Sequence, residues 1–360
     1  LEFFKLKDSG NNPAYRFRKL SEILFFGIMF FLGFSLKAQD ATFSQYYASA
    51  LYLNPAFAAA ETRLSFASNY RTQWKSIVVP YQTMQASLII PIRIGKLTEK
   101  HIGGFGISFF NNRAGEGNFQ TMGANLNFGY NIHLSDFNII SLGVQAGLIQ
   151  KRINLNDLQW GSQYNPFIGG YDPSIPVNVS NISQAVSFAD FAGGLIYYFN
   201  PERDYKEKPF SIYAGGAVYH LNQPDESMVK DMSSKLPYLI KSHAGFEVSM
   251  SQRFYISPNV FYALQNNQNQ INTGCYFTFR FGDEDAKALP AFVILGGWYR
   301  VNDSVILSTG FGNALYTIGF SYDMNNSSLR YNTQGRGAYE ISLRVHKPGI
   351  KKVRTYNPLI

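Results

Sequence analysis

Apolar and polar residues alternate along most of this chain with a period of two, the spacing that sends successive side chains to opposite faces of a strand. Met122, Ala124, Leu126, Phe128, Tyr130 and Ile132 interleave with Gly123, Asn125, Asn127, Gly129, Asn131 and His133. Tyr339, Ile341, Leu343 and Val345 interleave with Glu340, Ser342, Arg344 and His346, and Phe254, Ile256, Pro258, Val260, Tyr262 and Leu264 form a third set. Fourteen such segments are predicted, at 63–70, 80–92, 102–111, 118–133, 137–150, 186–199, 208–220, 237–250, 253–264, 270–282, 290–301, 304–311, 314–323 and 338–347. Their length of about ten residues, and the Tyr, Phe and Trp at their ends, suit tilted strands that cross a bilayer between aromatic girdles. Hydrocarbon offers no partner to an unpaired backbone N–H or C=O, so such a sheet must close on itself. The predicted fold is therefore all-β: a transmembrane antiparallel β-barrel of about 14 strands over residues 63–347.

The connections give a second reading of the same pattern. The longest links, 151–185, 221–236 and 324–337, follow the fifth, seventh and thirteenth segments, so all three fall on one side of the sheet. Barrels of this class place long loops outside the cell and short turns in the periplasm. With a periplasmic amino end, the three links become long extracellular loops.

Composition agrees with a barrel and argues against the other membrane class. Aromatic residues reach 16%, with 24 Tyr and 31 Phe, and charged residues only 16%, against roughly 25% in a typical soluble domain. Mean hydropathy is −0.14, too low for a bundle of apolar helices but natural where only every second residue meets lipid. The net charge of +8 suggests a nucleic-acid partner until it is located. Residues 1–38 carry six Lys/Arg against three acids, and the last fourteen residues carry four Lys/Arg and no acid. The body between them is nearly neutral, so nucleic acid is not an expected partner.

The amino end reads as a secretion signal. Arg16, Arg18 and Lys19 precede the apolar stretch Ile23 to Leu36, and Ala38 precedes Gln39-Asp40 as a cleavage-compatible residue. Fourteen apolar residues are too few for a spanning helix and right for a signal core. The expected organisation is a signal peptide with an upstream extension at 1–38, an N-terminal segment at 39–62, the barrel, and a basic tail at 348–360. Lys351, Lys352 and Arg354 in that tail suit an acidic periplasmic partner.

Residue chemistry points away from catalysis. HExxH, CxxC, GxSxG and GxxxxGK[ST] are absent, which removes the motif support for a zinc hydrolase, a redox dithiol, a serine hydrolase and a nucleotide-binding loop. A lipase built into the barrel would need a Ser/His/acid set that no motif supplies. His243 and Glu247 share a strand face but lack a third ligand at zinc spacing and read as lumen-facing polar residues. The run Asp283-Glu284-Asp285 reads as a solvated turn, since the ligand and Gly spacing of a calcium loop is missing. The GGFG at 103–106 lies inside a strand with no helix after it, so close packing explains it better than phosphate binding. No metal or cofactor is expected.

Several stretches are similar to the PorP/SprF family of the type IX secretion system of Bacteroidetes. At 39–58, Asp40, Phe43, Ser44, Gln45 and Tyr46 match a D-x-x-F-S-Q-Y signature, and Leu51, Tyr52, Asn54, Pro55 and Ala56 match L-Y-x-N-P-A. YRTQW at 70–74 resembles Y-R-x-Q-W, FSYDMNNSSL at 320–329 resembles a Y-S-Y-D block, and GAYEISL at 337–343 resembles G-S-H-E-x-x-L. One departure stands out: Ala338-Tyr339 occupies the place of the family's Ser-His, while Glu340 is kept. The resemblance implies a non-enzymatic outer-membrane component, needed for secretion or surface anchoring of an adhesin through its C-terminal domain, in some members for gliding motility. It also implies contact with periplasmic ring components, besides the outer-membrane lipid around any barrel.

The alternative is an outer-membrane channel or transporter for small hydrophobic or polar solutes, and the two readings differ in the lumen. Residues 40–61 are too long and aromatic for a simple leader, so Phe43, Tyr46, Asn54 and Pro55 are expected inside the barrel or at its periplasmic mouth, with Tyr47, Leu51 and Tyr52 on the lumen wall. Asn54-Pro55 reads as a turn, because the residue before proline is driven out of the helical region. The link 151–185 is low in charge and rich in aromatic residues. Trp160, Tyr164, Phe167 and Tyr171 are its candidate partner-binding residues, with inward folding as a cap the alternative.

Overall fold

The computed structural model describes residues 40–75, 79–94, 100–135, 137–199, 210–251, 253–282, 291–328 and 330–348. Fourteen long strands form the wall: β1 (Ser65–Gln73), β2 (Tyr81–Ile94), β3 (Lys100–Ala114), β4 (Phe119–His133), β5 (Asn138–Arg152), β6 (Ala185–Phe199), β7 (Phe210–Tyr219), β8 (Leu239–Ser251), β9 (Phe254–Gln265), β10 (Gln268–Phe281), β11 (Ala291–Arg300), β12 (Ser304–Gly312), β13 (Tyr316–Asn325) and β14 (Arg336–His346). Each pairs with its neighbours in sequence, and β1 closes on β14 from Ser65 opposite His346 to Gln73 opposite Ala338. Every predicted segment is a strand, displaced by no more than a few residues at its ends.

The alternation sorts as the period of two requires. On β4, Ala124, Leu126, Phe128, Tyr130 and Ile132 are exposed outward, while Gly123, Asn125, Asn127, Gly129 and Asn131 are buried in the lumen. On β14, Tyr339, Ile341, Leu343 and Val345 face out, and Ala338, Glu340, Ser342, Arg344 and His346 face in. On these strands the apolar side chains are on the outside and the inward positions are mostly polar or small, as a lipid-bathed wall demands.

The links at 153–184, 220–238 and 326–335 all lie at one end of the barrel. The first carries a two-stranded hairpin, Tyr164–Asn165 against Gly170–Tyr171. It does not stand alone, because its base is tied to the second link. Ile182 bridges Val229, Ser183 N–H donates to the Met228 carbonyl at 2.7 Å, and the Lys151 ammonium pairs with Glu226. At the other end most turns are short, and the two longest links, between Phe199 and Phe210 and between Phe281 and Ala291, fall where the predicted segments left wide gaps as well. Residues 1–39, the run 283–285 and the tail 349–360 lie outside the described residues.

Candidate functional site

The core of the barrel is the chain's own N-terminal segment. Phe43, Tyr46, Tyr47, Leu51, Leu53, Asn54 and Phe57 are buried to 4% exposure or less. Tyr46, Tyr47, Leu51, Leu53 and Phe57 form one cluster with inward residues of β6 to β9, among them Ile196, Tyr213 and Phe261. Two single-turn helices, α1 (Ala50–Leu53) and α2 (Phe57–Ala60), flank Asn54-Pro55. Asn54 is extended (φ −159°, ψ 125°), as a residue before proline should be. Four-residue helices cannot hold themselves in water, so the wall must hold these. Asn54 Nδ2 donates to the carbonyls of Leu195 at 3.0 Å and Gly216 at 3.1 Å, and its Oδ1 accepts from Ala56 N–H at 3.0 Å.

Glycines of the wall make this approach possible. A Cβ on Gly143 would lie inside the contact distance of Ala56 N and Cα, one on Gly129 would strike Ala59, and one on Gly104 would strike the Ala58 carbonyl. The GGFG of the sequence is therefore a packing surface, as its place within a strand suggested. Because the obstruction at Gly143 is backbone on both sides, Gly143→Val is expected to expel the segment. A cysteine at Leu51 should then react with a hydrophilic thiol reagent that leaves it untouched in the parent barrel.

The amino end of the segment lies at the long-loop end of the lumen. Asp40 N–H donates to Gln265 Oε1 at 2.8 Å and Thr42 Oγ1 to Gln270 Oε1 at 3.0 Å. His220 bridges two carboxylates there, with Nδ1 2.8 Å from Asp190 and Nε2 3.0 Å from Asp40. Beside them the Lys241 ammonium donates to the Tyr52 carbonyl at 2.6 Å and sits 4.2 Å above the Tyr52 ring. The carboxyl end lies at the opposite mouth, where the Arg93 guanidinium donates to the Thr62 carbonyl and Asn131 Nδ2 to Ala59 O at 2.8 Å.

Burial alone would lower the pKa of His220, but hydrogen bonds and charge from Asp190 and Asp40 raise it to about 9. Desolvation would raise Asp40, but the hydrogen bond and charge of His220, with Lys151 and Lys241 nearby, hold it down at about 2. A raised histidine stabilises the folded contact fully below its unfolded pKa of about 6.5, and this is lost as pH rises through 9. A lowered aspartate stabilises it above about 3.8, and this is lost as pH falls through 2. Relative to an exposed cysteine, whose own reactivity rises with its thiolate fraction, a Thr42→Cys variant is thus expected to be most protected from about pH 4 to 6.5 and to lose that protection toward pH 10. His220→Asn should abolish that alkaline dependence; an identical pH profile in His220→Asn would remove the latch.

Two residues beyond Thr42 the charged residues converge. Ser44 N–H donates to Glu340 Oε2 at 2.7 Å, Gln45 N–H to Glu340 Oε1 at 3.1 Å, and Ser44 Oγ to Asp323 at 2.8 Å. Arg71 pairs with Asp323 at 2.8 Å and Glu340 at 3.4 Å, and donates to Ser44 Oγ. Arg300 reaches Asp323 at 3.2 Å and Ser44 Oγ at 3.0 Å. The two buried guanidinium and two buried carboxylate groups balance, with the half-exposed Asp303 a further partner of Arg300 at 3.1 Å, and Asn69 Nδ2 fills a further Glu340 lone pair at 3.1 Å. This is the composition that lets buried charges persist. A chamber of about 70 Å³ remains between Gln45, Tyr47 and the β10–β14 wall, with Arg344 and Ser342 on its lining.

Ser44, Arg71, Asp323 and Glu340 each fall in one of the sequence blocks singled out above. A family model described as type IX secretion system membrane protein PorP/SprF matches residues 35–345. The chain belongs to the PorP/SprF family. Its place is the outer membrane, in the type IX secretion system. No curated protein matches the sequence. Among solved structures it is similar to the toluene transporter TbuX of Ralstonia pickettii (11% identity, 84% of this chain and 94% of that one, TM-score 0.47) and to a FadL homologue of Pseudomonas aeruginosa (10%, 87% and 96%, 0.43). The translocator domain of the autotransporter NalP from Neisseria meningitidis is a third such structure (11%, 83% and 95%, 0.36).

The PorP/SprF blocks thus include the residues that bind the lumenal segment to the wall. Position 339, where the family's His is replaced by Tyr, faces outward and packs on Tyr322 with ring centroids 4.8 Å apart. It takes no part in the lumenal cluster. Arg300, His220 and Asp190 belong to none of the blocks and were not singled out in the sequence. Parity alone assigns them to the lumen, and only the register brings them to the segment.

The other candidate residues lie apart, on the loops. Phe167 is 97% exposed and Tyr164 and Tyr171 are exposed, while Trp160 is half-buried at the hairpin base. The hairpin tip stands in solvent. His243 stacks on Phe57 at 5.5 Å, and Glu247 accepts from Ser257 at 3.1 Å. No cluster of three metal-ligating side chains occurs among the described residues.

Proposed function

We propose that this protein is a plugged, non-enzymatic barrel that docks a secreted adhesin's C-terminal domain at its long-loop face and engages periplasmic ring components at the other. In some settings this would serve gliding motility. The observation that carries the reading is the lumen: residues 40–62 fill it with an apolar cluster and a balanced set of charges. A barrel whose lumen is occupied in this way is better suited to holding a partner at its rim than to passing solutes. The exposed Tyr164, Phe167 and Ile168 at the loop tip supply an apolar patch of the kind that marks an interface. The alternative reading, a channel or transporter for small hydrophobic or polar solutes, would need a path through the chamber beside Gln45 and Arg344.

Aromatic anchors dominate interface energetics, and truncating one costs about 2 kcal/mol or more. A Tyr164→Ala/Phe167→Ala variant is expected to release the adhesin into the medium while barrel levels in the outer membrane stay normal. Trp160→Ala tests the base of the same hairpin. Full surface retention of the adhesin in the double variant would falsify the docking role.

A further inference from the structure

The outward face of β12, β13, β14 and β1 is not smooth. Leu307 and Thr309, Phe320 and Tyr322, Tyr339 and Ile341, and Tyr70 and Thr72 are cross-strand neighbours on that face. They border a groove of about 440 Å³ whose floor reaches Ser308, Ser321 and Glu340 on the sheet itself. That volume lies within the range of ligand pockets. The small Thr309 and Thr72 leave the space, and the rings around them wall it.

A β-bulge sets a cation one step beyond the residues that line this groove. Asp323 pairs with Ala338 but Met324 pairs with Arg336, so Gly337 is the extra residue. Without the bulge, Arg336 would share the inward face of Ala338 and Glu340. With it, Arg336 stands opposite the outward Met324, one step beyond Tyr322 and Tyr339 toward the long loops. Bulges re-aim side chains in this way. Arg336 is exposed and makes no hydrogen bond or ion pair among the described residues. An apolar trough with a guanidinium just beyond it that has no partner among the described residues, and with tyrosines between, matches one kind of molecule: a lipid with its chain along the wall and its phosphate at the interface.

We propose that this groove binds a phosphorylated glycolipid of the outer leaflet, one acyl chain lying between Tyr70, Phe320 and Ile341 and a phosphate on Arg336. The choice of leaflet rests on the orientation proposed above, with the long loops outside. The full-length protein in detergent is offered bis-phosphorylated lipid A, phosphatidylethanolamine or phosphatidylglycerol, and bound lipid is counted by native mass spectrometry. Lipid A should survive activation that strips phosphatidylethanolamine. Arg336→Glu should lower its retention about tenfold, the loss of one charge-assisted hydrogen bond. Thr309→Trp, which fills the trough, should do the same, and Leu148→Trp on the far wall should not.

Both test substitutions face lipid, and heat-dependent gel migration verifies that each barrel has folded. Unchanged retention in Arg336→Glu and Thr309→Trp overturns the site. Retention of phosphatidylglycerol instead of lipid A, with the same dependence on Arg336, overturns the outer-leaflet assignment. Labelling a Phe167→Cys variant on intact cells fixes the orientation independently, so the two failures are told apart.

Discussion

Replacing Arg71 with alanine is expected to release the N-terminal segment from the lumen. Arg71 is buried and touches Asp323, Glu340 and Ser44 at once. Its loss leaves Asp323 with Arg300 but strips Glu340 of its guanidinium. Breaking a buried pair on one side costs about 3–5 kcal/mol, because the remaining charge is left in a medium that cannot solvate it. The wall strands are held by their own ladder, whereas Ser44 and Gln45 are held by these same carboxylates. The loss therefore falls on the segment. A cysteine at Leu51, fully buried in the parent, should become reactive in the Arg71→Ala barrel. Arg71→Ala/Glu340→Gln should restore much of the protection, since it removes the orphaned charge. Continued protection in the single variant would mean that the cluster does not hold the segment in place.

This cluster shows what a sequence can and cannot convey about such a fold. Period-two alternation carries the strands, because lipid outside and a polar lumen inside impose opposite chemistry on successive residues. Met122 to His133 could be read as one β4 strand without any tertiary knowledge. Counting then fixed the number of strands, and parity sent the three long links to one end. Which inward residues meet is a different matter. Arg71 and Glu340 are separated by 269 positions and become neighbours only because β1 closes on β14. The same holds for His220, which finds Asp40 across 180 positions.

The lumenal segment was legible in composition but not in conformation. Phe43, Tyr46, Asn54 and Pro55 sit inside the barrel, yet α1 and α2 span a single turn each, too short for any helical period to register. Residues such as Gly143 and Gly129 give no signal of their own, since their role is to leave room for Ala56 and Ala59. The bulge at Gly337 is likewise invisible, because a strict alternation would place Arg336 on the wrong face.

Deleting residues 40–61 is expected to convert the barrel into an open pore. All fourteen strand pairings, including β1 with β14, are made between residues outside the segment. The closed ladder that a membrane wall requires therefore survives its removal. What the deletion removes is the cluster around Leu51, Leu53 and Phe57 and the partners of Asp323 and Glu340. Arg71 and Arg300 stay on the wall to balance those two carboxylates. Solvent then replaces the segment along a wall lined by Asn125, Asn127, Ser141 and Gln145, all polar. Single-channel conductance in planar bilayers should rise from little or none in the parent to the steps of an open barrel. Tyr164→Ala/Phe167→Ala, which leaves the lumen intact, should conduct like the parent. A deletion variant that folds and reaches the outer membrane yet conducts no more than the parent would show that something other than residues 40–61 closes the lumen.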